Sequence, residues 1–290
     1  MRRIIMNKRI KRLISSILVT SFLLVLCVVP ITAEASDDQI QCIQYNMEEN
    51  SYTTVSIPKN DSAVQGYNPF PATRSIIGSD DRVLITGDPV NYYPASAVGV
   101  VDVTYMDGSG ARGTGWLFGP NDVATAAHVL INDEGIPVRS ATFYINGKYY
   151  VSGENMYIPV EYIENQDRNY DYACFELLSS VGKERGFFGW DPMCLNGDAI
   201  TIIGRPSDYA LTNLAISFGN ITSIQSSYRI RHNADTLSGM SGAPIFKGSG
   251  TGGEAIAVAI HASGAPSFNE GTRINSTVAS MLNYYRNFLL

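Results

Sequence analysis

The chain has 290 residues, a formal net charge of −6 and a hydrophobic fraction of 45%. That length suffices for one large domain or two small ones. The acidic balance argues against nucleic acid or an anionic membrane surface as a partner. Four cysteines without a Cys-x-x-Cys pair, and three histidines without a His-x-x-x-His pair, indicate neither a disulfide framework nor a metal site. We therefore expect no metal and no cofactor.

The first residues have the features of a secretory signal peptide. Six basic residues within the first 12 precede an apolar stretch that runs from position 13 to about 31. Ala33-Glu34-Ala35 then has the small-x-small pattern of a cleavage site. We interpret residues 1–35 as a signal peptide and expect an extracellular protein that leaves the membrane after its removal. A single membrane anchor is the alternative, because the apolar stretch is nearly long enough to span a bilayer.

Residues 36–74 differ in composition from the rest of the chain. They are polar and end in the Pro- and Asn-rich stretch Asn68–Arg74. Because they contain little that we expect to fill a core, they are typical of a propeptide or a disordered linker. Arg74 is the natural processing point. An activating protease that cuts after Arg74 would release residues 75–290 as the mature domain.

From Ser75 onward, short β-rich stretches alternate with turn signals. Asp107-Gly, Asn146-Gly and Asn196-Gly favour hairpins and tight reversals. Stretches at this spacing, with almost no helical periodicity, predict an all-β barrel or sandwich. One helix is predicted at the end, over Ser276–Leu290, where apolar residues repeat at helical spacing. The predicted strands are Ala97–Tyr105, Gly115–Phe118, Ala141–Ile145, Tyr172–Leu177, Ala199–Ile203, Ala215–Phe218, Ala243–Phe246 and Ala255–Ile260.

The stretch Asp235–Pro244 reads Asp-Thr-Leu-Ser-Gly-Met-Ser-Gly-Ala-Pro and has a candidate nucleophile near its centre. Gly239 lacks a Cβ, so its backbone can turn sharply and present its N–H group. Acyl transfer needs an attacking hydroxyl and N–H groups directed at the oxygen that becomes negative. We predict that Ser241 is the nucleophile and that the N–H groups of Gly239 and Ser241 form an oxyanion hole. A Gly/Ser-rich hairpin turn is the alternative.

Two further residues suit the same chemistry. His128 follows the small residues Ala124-Thr-Ala-Ala, which allow close approach to its ring, and imidazole suits general-base work near neutrality. Asp171 precedes an apolar stretch, where a carboxylate needs hydrogen bonds. It can therefore hold the imidazole in the correct tautomer. The alternatives are a core histidine for His128 and a turn cap for Asp171.

The order of these three residues favours one fold. His128, Asp171 and Ser241 occur in the order His, Asp, Ser, as in the chymotrypsin-type double barrel, which fits the all-β pattern. An α/β-hydrolase has the order Ser, Asp, His. Its Gly-x-Ser-x-Gly motif also fails here, because Ala243 stands where the second glycine would be.

Six segments spread over residues 75–290 carry a more specific resemblance. They are Ser75-Ile-Ile-Gly-Ser-Asp-Asp-Arg82, Thr114-Gly-Trp-Leu-Phe-Gly-Pro120, Ala124-Thr-Ala-Ala-His128, Asn169-Tyr-Asp-Tyr-Ala173, Asp235–Pro244 and Gly271-Thr-Arg-Ile-Asn275. In these segments the chain resembles the secreted bacterial glutamyl endopeptidases of the staphylococcal V8 and Bacillus type. The resemblance implies two six-stranded antiparallel β-barrels of the chymotrypsin/trypsin type with a C-terminal helix. It also implies a monomer that cleaves protein or peptide substrates after Glu, and after Asp more weakly.

A pocket for a carboxylate needs hydrogen-bond donors or positive charge, which must be local in an acidic domain. Residues 258–264 form a predicted strand that should line the pocket if Ser241 is the nucleophile. His261 on that strand can donate a ring N–H, and Thr236 can add a hydroxyl. The resemblance implies that both positions contact the acidic side chain of the substrate. A buried structural role is the alternative for His261, and His232 is expected to be a surface or structural residue.

Met240 bears on activation. Trypsin-like zymogens mature when a new N-terminus pairs with an aspartate just before the nucleophile, and Met240 is uncharged. The resemblance implies instead that the freed amine of Ser75 approaches the specificity pocket and supplies positive charge there. Cleavage between Arg74 and Ser75 would then switch the pocket on.

Two other functions stay open at this stage. One is a chymotrypsin-like protease with a non-acidic preference. The other is a catalytically weak homologue that acts as a binding protein or toxin, against which the complete set of His128, Asp171 and Ser241 argues.

Overall fold

A computed structural model describes residues 39–60, 62–63, 82–207, 210–248, 255–265 and 267–288. The predicted signal peptide, Arg74 and Ser75 lie outside these residues. None of the helices in the described ranges is both long enough and apolar enough to cross a membrane.

The strands, in chain order, are β1 Gln39–Asn46, β2 Ser51–Pro58, β3 Arg82–Ile85, β4 Val98–Tyr105, β5 Gly110–Leu117, β6 Asp122–Thr125, β7 Val138–Ile145, β8 Lys148–Pro159, β9 Ala173–Leu177, β10 Gly189–Trp190, β11 Ala199–Gly204, β12 Leu214–Ile224, β13 Arg229–His232, β14 Pro244–Lys247, β15 Ile256–Ala265 and β16 Phe268–Arg273. The α-helices are α1 Ala127–Leu130, α2 Val160–Asn165, α3 Gly182–Arg185 and α4 Ser276–Phe288. Short 3₁₀ turns cover Asp88–Asn91, Ala95–Ala97 and Arg168–Tyr170.

Strands β4 to β9 form the first barrel. They lie in the order β8-β7-β4-β5-β6-β9, and pairing between β8 and β9 closes the ring. The predicted Asn146-Gly147 turn joins β7 to β8, with φ angles of 44° and 80° that suit the left-handed turn of a tight hairpin. Large apolar side chains, among them Trp116, Phe143 and Phe175, fill the interior.

Strands β11 to β16 form the second barrel. Their order is β15-β14-β11-β12-β13-β16, and pairing between β15 and β16 closes the ring. Strand β10 adds in parallel to β15, and β3 adds to β12. The prediction of two six-stranded antiparallel barrels is therefore confirmed.

Helix α4 confirms the predicted C-terminal helix. Asn275 caps it by accepting a hydrogen bond from the Val278 N–H at 3.0 Å. Its buried face packs on the first barrel, where the ring of Tyr285 lies 3.5 Å from that of Tyr157.

The segment that precedes the barrels departs from expectation. Strands β1 and β2 form a hairpin, and β1 pairs with β8 at the open side of the first sheet. Cys42, Tyr45 and Ile57 are at most 1% exposed and belong to the same core as the barrel. The expectation that residues 36–74 contain little to fill a core is thus wrong for the hairpin, because its few apolar residues are buried against the first barrel. Its identity as a propeptide stays a prediction.

Candidate active site

His128 and Asp171 are brought together by two paired strands of the first barrel. Helix α1, which carries His128, directly follows β6, and Asp171 directly precedes β9. Strands β6 and β9 are antiparallel neighbours with Thr125 opposite Ala173, so the two side chains emerge at one end of the barrel. Small buried residues beside α1 leave room for the imidazole, as the sequence predicted.

Both oxygens of the Asp171 carboxylate contact His128. Oδ2 lies 2.8 Å from the ring Nδ1, and Oδ1 accepts a hydrogen bond from the His128 backbone N–H at 3.0 Å. The Asp171 carbonyl accepts a third bond, from Thr272 of the second barrel, at 3.0 Å. An ionised carboxylate accepts only, so Nδ1 carries the proton and Nε2 is left as the base.

The pKa of His128 reflects two opposing causes. Burial disfavours the imidazolium, but the Asp171 carboxylate and its hydrogen bond outweigh burial and raise the pKa above its ordinary value. The imidazole side chain is 29% exposed, so solvent and substrate can reach it.

The loop between β13 and β14 carries Ser241. Gly239 and Gly242 have φ angles of 89° and 88°, in the left-handed region that favours glycine. A Cβ on Gly242 would lie 2.2 Å from the Thr114 carbonyl oxygen. The Met240 N–H donates to the Leu237 carbonyl at 3.0 Å, whereas the N–H groups of Gly239 and Ser241 have no acceptor among the described residues. Two neighbouring donors are thus available to an external oxyanion.

Thr114 of β5 joins this loop to the first barrel. Its N–H donates to the Ser241 carbonyl at 2.7 Å, and its hydroxyl donates to the Gly239 carbonyl at 2.8 Å. The same hydroxyl accepts from the Arg205 N–H at 2.9 Å. Sequence reasoning assigned no role to Thr114, since a threonine between two glycines carries no catalytic signal.

The serine loop and α1 are neighbours without a direct catalytic hydrogen bond. A Cβ on Gly113 would lie 2.6 Å from Val129 and 3.0 Å from the Ser241 carbonyl oxygen, so only glycine allows this approach. Within the described part of the chain, the Ser241 hydroxyl makes no hydrogen bond to His128. Such bonds are often long before a substrate binds.

A cleft of about 240 Å³ opens beside His128 between the two barrels. Asp171 lines one side, and Ala262, Ser263 and Arg229 line the other. The Arg229 guanidinium donates to the Arg168 carbonyl at 2.9 Å and to Glu270 at 2.6 Å, which fixes it as the wall of the cleft. Arg229 was also missed from the sequence, because an arginine in a strand has many uses.

His261 lies beside the serine loop on β15. Its carbonyl accepts from the Gly242 N–H at 2.7 Å, and its own N–H donates to the Ala243 carbonyl at 2.8 Å. The ring is 3% exposed, and its Nδ1 has no hydrogen-bond partner among the described atoms. Burial lowers the pKa of His261 to about 3, so the ring is neutral at neutral pH.

Of the other residues considered for the pocket, the structure describes Thr236 and His232 but not Ser75. Thr236 is half-buried, and its hydroxyl lies 3.8 Å from the position of a Cβ on Gly264, which places it beside β15. Ser75 lies outside the described residues. His232 is fully buried with its ring 5.6 Å from that of His261, which agrees with the structural alternative considered for it.

Comparison with known proteins decides the family. The family described as "Trypsin-like peptidase domain" matches residues 113–258, half of the chain. The chain belongs to the trypsin-like peptidase family. The peptidase is 29% identical to "Glutamyl endopeptidase" of Bacillus licheniformis over 88% of this chain and 84% of that protein. It is 31% identical to "Extracellular metalloprotease" of Bacillus subtilis over 73% of this chain and 70% of that protein.

Solved structures agree on the fold of the peptidase. A Glu endopeptidase in complex with MPD has a TM-score of 0.61 at 21% identity, over 73% of this chain and all of that one. The protease Anisep of Arthrobacter nicotinovorans has a TM-score of 0.59 at 19% identity, over 71% of this chain and all of that one. With these relatives, the peptidase is a serine endopeptidase, and its substrates are peptides.

The remaining chemistry of the described residues is limited. No three His, Cys, Asp or Glu side chains in the described ranges are grouped so that they could hold a metal ion. Cys42, Cys174 and Cys194 are buried free thiols, and burial raises the pKa of each.

Proposed function

We propose that the protein is a secreted endopeptidase that cleaves peptide bonds after Glu, and after Asp more weakly. Ser241 attacks the scissile carbonyl while His128 Nε2 takes its proton. The N–H groups of Gly239 and Ser241 stabilise the oxyanion, and His128 then gives the proton to the leaving amine. Water hydrolyses the acyl-enzyme with His128 again as the base.

One observation carries this mechanism. A histidine whose Nδ1 is bonded to a buried carboxylate lies next to a serine loop with two unused N–H donors. Each part separately has a structural explanation, but together they supply the nucleophile, the base and the oxyanion donors that acyl transfer needs.

The preference for Glu rests on His261 and Thr236. His261 is adjacent to the serine loop, and a neutral imidazole can donate one N–H to a carboxylate. Thr236 adds a hydroxyl from the serine loop itself, beside β15. Burial disfavours a charge on His261 in the free protein, so we assign the positive charge of the pocket to the freed amine of Ser75. The name of the relative, glutamyl endopeptidase, supports the preference for Glu.

Activation follows from this need for charge. Removal of residues 1–35 by signal cleavage and of residues 36–74 by a protease that cuts after Arg74 would create the Ser75 amine. An uncleavable Arg74→Gln precursor is expected to be weak on a Glu peptide. Full activity of that precursor would exclude the switch.

The decisive experiment compares peptides that differ only in Glu, Asp, Gln or Lys before the scissile bond. The 75–290 form is assayed beside Ser241→Ala, and kcat/KM is measured for each peptide. We expect strong preference for Glu and no turnover by the variant. Turnover without acidic preference would be consistent with the proposed mechanism at Ser241 but would exclude the proposed carboxylate pocket of His261 and Thr236. No turnover by the folded, processed protein would favour a binding function.

A further inference from the structure

The hairpin β1–β2 occupies a specific edge of the first barrel. Strand β7 pairs only with Lys148–Val151, the first part of β8. Farther along β8, Asn155–Pro159 pairs with β1, and the Met47 N–H adds a bond to the Glu154 carbonyl at 2.9 Å. The hairpin thus fills the edge that β7 leaves open, where an uncovered strand would invite pairing with other chains.

Apolar side chains attach the hairpin to the barrel. Cys42 and Tyr45 of β1 and Ile57 of β2 are buried in the barrel core, and Met47 in the turn is 9% exposed. Thr54 lies on the face of β2 opposite to Ile57 and is exposed. The hairpin therefore buries one face and exposes the other, as a strand pair packed on one side does.

A second attachment fixes the chain just after the hairpin. The Asn60 N–H donates to the Ser280 hydroxyl of α4 at 2.6 Å. The Asn60 carbonyl accepts from the Asn283 side chain of the same helix at 3.0 Å. Residues 39–60 are therefore held by the β8 edge and by α4, before the chain reaches Arg74.

The hairpin does not reach the cleft but supports one of its walls. None of the side chains that line the cleft beside His128 comes from residues 39–60. Helix α2 packs against both β1 and β8, and it carries Tyr162, which lines the cleft. The chain continues from α2 to Asp171, so the hairpin braces the segment that ends in the catalytic carboxylate.

We propose that residues 39–60 stay bound to residues 75–290 after the linker is cut, as a noncovalent part of the first barrel. The active protease is then a complex of two chains in which the β8 edge and α4 form the binding surface and the propeptide hairpin is the ligand. The hairpin stabilises the barrel and leaves the cleft open to substrate. This inference rests on the proposed cleavage after Arg74.

The test cuts the linker and measures by mass whether the two fragments stay in one complex. Residues 68–74 of the 36–290 chain are replaced by the recognition sequence of a site-specific protease, in the Ser241→Ala background to prevent self-digestion. After cleavage and dilution to nanomolar concentration, we expect native mass spectrometry to show both fragments in one complex. Backbone amides of Asn155–Ile158, which lie in the part of β8 that pairs with β1, are expected to stay protected from hydrogen exchange. Release of the hairpin from a folded 75–290 fragment would overturn the proposal.

A matched pair of variants tests the binding surface. Ile57→Asp places a charge in the buried contact, and Thr54→Asp places the same charge on the exposed face of the same strand. We expect at least tenfold weaker retention for Ile57→Asp and unchanged retention for Thr54→Asp. Equal retention of both would overturn the assigned surface. If Ile57→Asp does not fold, the cleaved chain without this substitution still tests whether the hairpin stays bound. Because mass and protection are measured instead of turnover, a failed Glu preference leaves the result intact.

Discussion

The two carboxylate oxygens of Asp171 contact two different nitrogens of His128, the backbone N at 3.0 Å and the ring Nδ1 at 2.8 Å. The first contact fixes the position of α1, and the second fixes the tautomer of the ring. The two roles can be separated by an asparagine at this position. Its amide oxygen can accept the backbone hydrogen bond in place of Oδ1, but its amide nitrogen cannot accept the ring N–H in place of Oδ2.

If Asp171 has its proposed role, Asp171→Asn should fold normally and lose kcat by a factor on the order of 10⁴, as in Ser-His-Asp enzymes. Its amide nitrogen would donate to Nδ1 and move the ring proton to Nε2, which removes the base. Asp102→Asn, a surface carboxylate paired with Arg112, is the control and should keep full activity. A drop of less than tenfold for Asp171→Asn would contradict the assigned role.

The raised pKa of His128 predicts the acid limb of the pH profile. The ring must be neutral to accept the Ser241 proton, so kcat/KM should rise with pH through the His128 pKa of the free enzyme. Because Asp171 raises that pKa, the midpoint should lie above the ordinary imidazole value of about 6.5. Measurement of kcat/KM against pH on one Glu peptide checks this. A midpoint below that value would mean that burial outweighs the carboxylate.

Much of the fold was predictable from the sequence, because most strands of both barrels are apolar and are separated by clear turns. Strands β6, β8 and β16 were missed, since β6 has only four residues, half of β8 faces solvent and β16 is polar at Asn269 and Glu270. The hairpin β1–β2 was missed for a related reason. Its apolar residues are few, and only the edge of β8 gives them a place to be buried.

The candidate site likewise contains some residues that the sequence indicates and others that only the structure reveals. The proposed roles of His128, Asp171 and Ser241 come from the sequence, because residue type, order and local glycines point to one chemistry. The contributions of Thr114 and Arg229 arise only from contacts across the chain, such as the bond between Thr114 and Gly239. No local sequence pattern encodes contacts between residues that lie this far apart in the chain.

Thr114→Val tests whether this cross-chain contact positions the oxyanion hole. Valine keeps the shape but removes the hydroxyl, which leaves the Gly239 carbonyl and the Arg205 N–H without their partner. We expect a loss of about 1–3 kcal/mol in the free energy of unfolding. We also expect kcat to fall by roughly 10- to 100-fold, because small misplacements of catalytic groups are costly. Thr142→Val is the control, since that hydroxyl makes only a 3.4 Å bond to Asp102. Equal effects of the two variants on kcat would contradict a positioning role.

The buried His232 predicts how stability depends on pH. Burial lowers its pKa to about 4, against about 6.5 in the unfolded chain. Between these values the unfolded chain binds a proton that the folded protein does not, so the free energy of unfolding falls as the pH is lowered from 6.5 to 4. The loss from this residue is on the order of 3 kcal/mol, at 1.36 kcal/mol per pKa unit.

The measurement is the pH dependence of unfolding by denaturant, carried out in the Ser241→Ala background. His232→Phe keeps a ring beside His261 and should flatten the curve between pH 6.5 and 4. His128→Gln is the control. Because the pKa of His128 is raised, the contribution of that residue is fully present below about pH 6.5 and is lost as the pH rises above that value. Its removal should therefore leave the slope between pH 6.5 and 4 unchanged and alter the curve only at higher pH. An unchanged curve for His232→Phe would contradict the lowered pKa of His232 and would leave the acid loss to His261 and the carboxylates.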